Sequence, residues 1–506
     1  MARACARRVD DEGQTVRRLA GLSLAFAVAI IGSAHIGSPN VFFEGNAGAY
    51  PVRVIVRPPE VVPGLAEVIV RVNSPDVKRV EIQPVFWRVG VRGAPAGDEM
   101  HLVSGEKQTY TGQLWLMAYG AYSVYVTVDG ARGPGTAIVP VNSLATGRLP
   151  LSRGLGAILL VLGLLLFGGL VTIIRAASGE SLIAPGEQLE PARRRRANIR
   201  ALVFAPLLAI VLFGGAKWWS AEDSAYRRNM YGSPAADASF DVTEGHRALR
   251  LAVHDTAAFN SIYSPIVPDH GKMMHLFLVS EPGMEHFAHL HPSQPESLLF
   301  VTEVPSLPAG KYRLFGDISM ENGLSISVTN TLTLPEAKGS VAPADSDDVV
   351  ITASVGTRIA PGAKQTVGGY TIAWNGDSAL AAGRPVDLEF TIRDAGGALA
   401  SLDPYLGMAG HAVVIRDDGS VFIHLHPMGT VSMVGQAVFQ ARDRGDTTTR
   451  GRVRTDALPA MPMTGMHMSG EIAFPYEFPK PGRYRIWVQV KPTGKVLTGV
   501  FDADVR

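Results

Sequence analysis

The residues best placed to do chemistry in this chain are histidines set in a repeated phrase. One copy reads GKMMHLFLVSEPGMEHFAHLHP over 271–292, the other GMAGHAVVIRDDGSVFIHLHP over 407–427. Each holds a His-Leu-His-Pro unit with a further histidine upstream. Each then leads to a similar closing strand, LPAGKYRLFGDI (307–318) and FPKPGRYRIWVQV (478–490). In an extended strand residues i and i+2 share a face, so His289 sides with His291 and His424 with His426. Asp418-Gly419 is a favoured two-residue hairpin turn, and folding there sets His411 opposite His426. In the first copy a three-residue loop, Pro282-Gly283-Met284, sets His275 opposite His291. The sequence therefore predicts two triads, His275/His289/His291 and His411/His424/His426, each on one face of one hairpin. Crowded imidazoles repel one another once protonated but share a cation well. Sets of three nitrogens suit Cu²⁺ or Zn²⁺, with copper favoured by the Irving–Williams order and zinc the alternative. The two triads can bind separately or face one another. His270 and His286 are less constrained by this geometry and are expected at the solvated surface.

A second cluster is MPMTGMHM, with Met461, Met463, Met466, His467 and Met468 within eight residues. Thioethers are soft ligands that select Cu(I). Met273, Met274, Met408 and Met428 lie beside the triads in sequence, whereas Met320 and Met433 are expected to fill the core. The one cysteine, Cys5, excludes a disulfide framework and any Cys-based zinc or iron–sulfur site.

These ligands must be positioned by a chain of 506 residues, long enough for about three domains of ~150 residues. Apolar residues make up 46% and charged residues 18%, with a mean hydropathy of +0.14, too apolar for a purely soluble protein of this size. Lys plus Arg (47) nearly balances Asp plus Glu (46), so there is no general basic surface for nucleic acid.

Three stretches read as membrane spans: 19–38, the apolar start of an uncharged run reaching residue 43; 154–174; and 201–219, ending in Lys217 and the interfacial pair Trp218-Trp219. Arginines 3, 7, 8, 17 and 18 precede the first span. Arg175, Arg193, Arg194, Arg195, Arg196 and Arg200 fall between the second and third. The positive-inside rule makes 1–18 and an Arg-rich loop at 175–200 cytoplasmic, and 39–150 and 220–506 extracytoplasmic. In a bacterium this describes a multi-pass protein of the inner membrane with most of its chain in the periplasm. The alternative for the first span is a signal peptide cleaved after Gly32-Ser33-Ala34, leaving His35 at the new N-terminus. The spans carry no interior charged or ligand residue, which argues against transport by this chain alone.

Outside the spans the chain alternates like strands, in runs such as VRVIVRP, AEVIVRVN and YSVYVTVDG, as in a sandwich of short antiparallel strands. Three β modules are expected at 39–150, 239–335 and 349–506, with the polar segment EAKGSVAPADSDD (336–348) as a linker. Trp87 and Trp115 are expected in the core of the first module. No helix is expected outside the membrane.

The segment MPMTGMHMSGEIAFPYEFPKPGRYRIWVQV resembles the closing half of YtkA-like domains, small bacterial β-sandwiches associated with copper handling. Met461, Met463, Met466 and Met468 match the Met-rich phrase of that family. The 109–141 region resembles the same half, or that of FixH-like domains, without the methionines. A weaker similarity extends to CopC-like copper carriers, whose mature N-terminal histidine this chain lacks unless it is cleaved before His35. The resemblance implies immunoglobulin-like sandwiches and copper, hence a membrane-anchored all-β protein with three such modules.

The expected function is a membrane-anchored periplasmic copper-binding protein, not an enzyme, that captures or relays the metal through the triads and the Met-rich segment. A copper transporter or oxidase is the expected partner. One alternative is a metal-independent scaffold. The other is an enzyme with a three-histidine metal, drawing an acid or base from Asp269, Glu285, Asp403 or Asp417. No G-x-S-x-G, H-E-x-x-H or P-loop phrase points to other chemistry.

Overall fold

Alternating Val, Ile and Thr build most of the molecule into antiparallel sheets. The structure, a computed structural model, describes residues 40–181, 183–184, 186–228, 230–243, 246–254, 265–336, 345–352, 360–376, 379–449, 452–454, 458 and 467–506. The expected span at 19–38, with the alternative cleavage site, lies outside these residues, as do Met461, Met463 and Met466.

The first module packs two sheets face to face. One contains Val41–Ala47, Tyr50–Arg57, Gly64–Val72 and Thr109–Leu116, the other Val77–Phe86, Gly120–Gly130 and Gly135–Ser143. Val52, Val54, Val68 and Val70 meet Val80, Ile82, Val124 and Val126 in the core. Trp115 departs from expectation. It is 54% exposed because it occupies an outward position of its strand, beside Leu114 and Leu116, which point inward. Trp87 leaves the module core to meet Phe439 edge-on at 5.0 Å.

Two long helices follow, Arg153–Glu180 and Pro191–Arg228, both long and apolar enough to cross a membrane. The Arg-rich segment expected as a loop is largely helical. The first helix continues to Glu180, and Arg193, Arg194, Arg195, Arg196 and Arg200 lie on the second. Arg and Ala propagate a helix readily, and Pro191 fits its first position. Arg148 pairs with Asp223 at 2.5 Å, Tyr226 Oη donates to the Gly147 carbonyl at 3.2 Å, and the Tyr231 amide donates to the Ala145 carbonyl at 2.8 Å. The hairpin therefore returns the chain to the same end at which it left the first module.

The second module contains one sheet of Ala236–Thr243, His246–Val253, Leu299–Glu303 and Ser293–Glu296. Its other sheet contains Gly310–Met320, His275–Ser280, His286–Leu290 and Val349–Thr352, with Ser325–Leu334 paired to Gly310–Met320. Val349–Thr352 hydrogen-bonds to His286–Leu290, so the boundary expected at 348/349 shifts beyond 352. The third module sets Tyr370–Trp374, Pro385–Arg393 and Glu471–Glu477 against Phe422–Leu425, His411–Arg416, Gly482–Val490 and Leu497–Val505.

Among the described residues, a helix outside the two long apolar ones, Met433–Arg444, runs against expectation. Ser432 caps its start by accepting from the Gly435 amide, and Gly445 ends it with φ 78°. Val434, Val438, Phe439 and Ala441 form its buried stripe. Gln436 Nε2 donates to the Ile138 carbonyl at 2.9 Å, which fastens the third module to the first.

Candidate metal centre

The two histidine hairpins face each other across the seam between the second and third modules. Each hairpin strand is buried on both sides, so its alternation sends one residue set into its own core and the other into the seam. Leu276 and Leu278 go inward, while Phe277 and Val279 meet Val413, Ile415, Phe422 and Trp487. Phe287 stacks on Trp487 at 4.6 Å and Phe315 on Phe422 at 4.4 Å. This apolar half of the seam packs directly beside the histidine half, Phe277 stacking on His289 at 4.3 Å.

The expected registers are present. Leu276 pairs with Leu290 and Phe277 with His289, which sets His275 opposite His291. Ala412 pairs with Leu425 and Val413 with His424, which sets His411 opposite His426. The grouping differs in one respect. His275, His289 and His291 form one set of potential ligand atoms lying within 4.8 Å of one another, but His411 and His426 complete theirs with His270 rather than His424. His270, expected at the surface, has a side chain only 1% exposed. A tight turn in which the Asp269 and Lys272 backbones bond reciprocally holds His270 at φ 53° and turns it inward. His424 lies between the groups, its ring 5.2 Å from His275, 5.1 Å from His411 and 4.8 Å from His426. His286 is on the outside, bonded to Thr352 Oγ1 at 3.1 Å.

The partners that orient these rings are distant in sequence. His291 Nδ1 meets Asp348 Oδ1 at 2.9 Å, and the same oxygen accepts from the His291 amide. His289 Nδ1 lies 2.9 Å from Gln489 Oε1 and 3.2 Å from Tyr405 Oη, while Tyr405 Oη donates to the Asp347 carbonyl. A carboxylate or amide on one ring nitrogen fixes the tautomer and aims the other nitrogen at a metal. The acidic end of the expected linker is thus part of the site. Asp347 is held by Lys491 at 2.8 Å, Asp345 by Lys272, and His291, Asp345 and Asp348 form a third potential ligand group.

Burial, and after it the neighbouring imidazoles, hold His275, His289, His411 and His424 well below the ordinary imidazole range. Burial and then His270 press His426 down to about 4. Those five rings are neutral near pH 7, and within the first group His275 Nδ1 and His289 Nε2 share a hydrogen bond at 3.2 Å. Both nitrogens of His270 and His411, and Nε2 of His275, His291, His424 and His426, are buried without a hydrogen-bond partner among the described residues. Each such orphan costs about 1–3 kcal/mol when nothing occupies it, and a cation bound by neutral imidazoles would satisfy several together. Asp317, half-buried 3.7 Å from His424 Nδ1, is pushed up to about 7 by its partial desolvation.

The remaining expected ligands are elsewhere. His467 is exposed and lies 3.5 Å from Asp403. Met468 packs against the core of the third module. Met274 and Met408 are buried packing residues, and Met428 packs on the first module. His270, Asp348, Tyr405 and Gln489 carry no local sequence signal, because each reaches the site through a turn or a contact distant along the chain.

Comparison with known proteins adds little to this geometry. A domain-of-unknown-function family, DUF8832, matches residues 239–335 and 365–506, the two modules that share the histidines. No curated protein gives a significant match. Among solved structures, a tetra-tandem repeat from the extending region of a large adhesion protein is similar at 10% identity and TM-score 0.17, over 88% of this chain and 96% of that one. Trypsin-activated α2-macroglobulin from Escherichia coli is similar at 8% identity and TM-score 0.14. That match covers 90% of this chain and 26% of the macroglobulin, so the chain spans about a quarter of its length.

Proposed function

We propose that this chain is a membrane-anchored, extracytoplasmic copper-binding protein that holds its metal in the buried imidazole centre between the second and third modules. The observation that carries the proposal is the convergence of seven buried histidines from two modules, six of which keep a ring nitrogen without a hydrogen-bond partner among the described residues. Nitrogen-only groups rank copper above zinc, and the Met-rich 461–468 segment supplies soft ligands for Cu(I). Six of the seven histidine residues are at most 8% exposed, which favours retention of the ion over rapid hand-over. The two apolar helices serve as the anchor, with the arginines on the cytoplasmic side.

The test is metal content by mass spectrometry on the full chain purified in detergent, after copper loading and dialysis. Near-stoichiometric copper that is lost in the triple variant His411→Ala, His424→Ala, His426→Ala supports the proposal. Zinc retained in preference to copper reassigns the metal. The absence of any bound metal leaves the scaffold reading.

A further inference from the structure

Two three-nitrogen groups built side by side raise the question of how many ions they hold. A single ion cannot use seven imidazoles, since copper and zinc sites take about four to five ligands. The His275/His289/His291 group draws every ligand from the second module. The His270/His411/His426 group draws one from the second and two from the third. The groups adjoin, with the His270 and His275 rings 6.1 Å apart, and His424 touches both sets. Three protein nitrogens leave an ion with an open position.

A cavity of about 210 Å³ shows where those positions face. Its wall includes His275 from one group, His426 from the other and His424 between them, together with Asp269, Asp317 and Lys272. It is smaller than the ~300–1,000 Å³ typical of sites for drug-sized ligands, so it suits a molecule of a few atoms. A ligand seated there reaches both groups at once. We infer that the two groups hold two copper ions as a dinuclear centre whose open positions face this cavity and share one small bridging anion.

This inference rests on the copper reading, and the experiment separates the two. The full chain in detergent is loaded with Cu²⁺, and bound copper is compared with the spin count from electron paramagnetic resonance, with azide as the anion probe. The expected wild-type result is about two coppers per chain, with a spin count at least several-fold below the copper content because bridged Cu²⁺ ions couple. One azide per two coppers should produce a new charge-transfer band. His270→Asn, a residue type that tolerates the left-handed turn, and His289→Ala should each leave about one copper, fully visible as spin. The wild-type ratio needs no variant, so misfolding of either variant does not decide the question. One copper per chain, or two fully visible coppers indifferent to azide, overturns the dinuclear centre and leaves the copper reading standing. No bound copper removes both.

Discussion

At the residue scale, the centre stores a conflict between burial and protonation that sets its response to acid. An unfolded histidine takes up a proton near pH 6.5, whereas His426 in the fold resists until about 4. Between those values the unfolded chain binds more protons, so stability is full above pH 6.5 and falls as the pH drops toward 4. For His426 alone this amounts to about 3 kcal/mol. His275, His289, His411 and His424 add in the same direction. Asp317 opposes them. It keeps its proton to about 7 in the fold and loses it near 3.8 when unfolded, so its contribution declines as the pH rises across that window. The metal-free chain should therefore melt at progressively lower temperature from pH 7.5 to 5. Asp317→Asn should raise the midpoint at pH 7.5 and steepen the acid loss. Thermal melts in detergent check both, and a flat profile would contradict the assignment of buried neutral rings. The six triad histidines were legible in the sequence because strand alternation and turn length fix their register. His270 was not, since its burial depends on the 269–272 turn and on a module joined only in the fold.

At the element scale, the histidines depend on the aromatic half of the same seam. Trp487 belongs to the closing strand Gly482–Val490, is fully buried and stacks on Phe287 from the other module. Trp487→Ala should cost about 3–5 kcal/mol, seen as a lower melting midpoint, and should admit water to the rings and speed copper loss to a chelator. An unchanged rate of loss would mean that the centre is sealed without the aromatic wall. Ser432 offers a finer probe. Its Oγ caps the Met433–Arg444 helix and donates to Asp269 Oδ2 at 2.8 Å, next to His270. Ser432→Ala should cost about 1 kcal/mol and weaken copper retention. Thr430→Ala, which loses only a hydroxyl contact to the Phe42 amide, serves as the comparison and should leave retention closer to wild type. The hairpins were readable from Asp418-Gly419 and the 282–284 loop, but the helix was not. Its stripe is short, and its apolar face has meaning only against the first and second modules.

At the scale of the whole molecule, the helical hairpin is the element on which the proposed membrane anchoring rests. Because the chain re-emerges beside its point of departure, the proposed membrane anchoring puts the first module and the histidine modules on one side and Glu187, between the two helices, on the other. With Cys5→Ser as background, Asp98→Cys and Lys480→Cys should react with an impermeant maleimide in spheroplasts, and Glu187→Cys only after permeabilisation. The reverse pattern would invert the orientation read from the arginines. The outline of three β modules was legible from strand alternation, but their docking was not, because it depends on clusters and close approaches between residues far apart in the chain. The tightest lies two residues beyond the second His-Leu-His-Pro unit. Gly429 sits at φ 110°, and a Cβ there would come within 2.1 Å of the Phe42 carbonyl oxygen. The Glu44 amide donates to the Met428 carbonyl alongside, while Arg57 reaches Glu477 at 3.1 Å. Gly429→Ala should therefore loosen the first module from the third at this end without unfolding either, since each keeps its own core. Limited proteolysis should then cut near residues 40 and 145–152 far faster than in the wild type. Copper retention should fall, because the strand that carries His424 and His426 loses the backbone that braces its end.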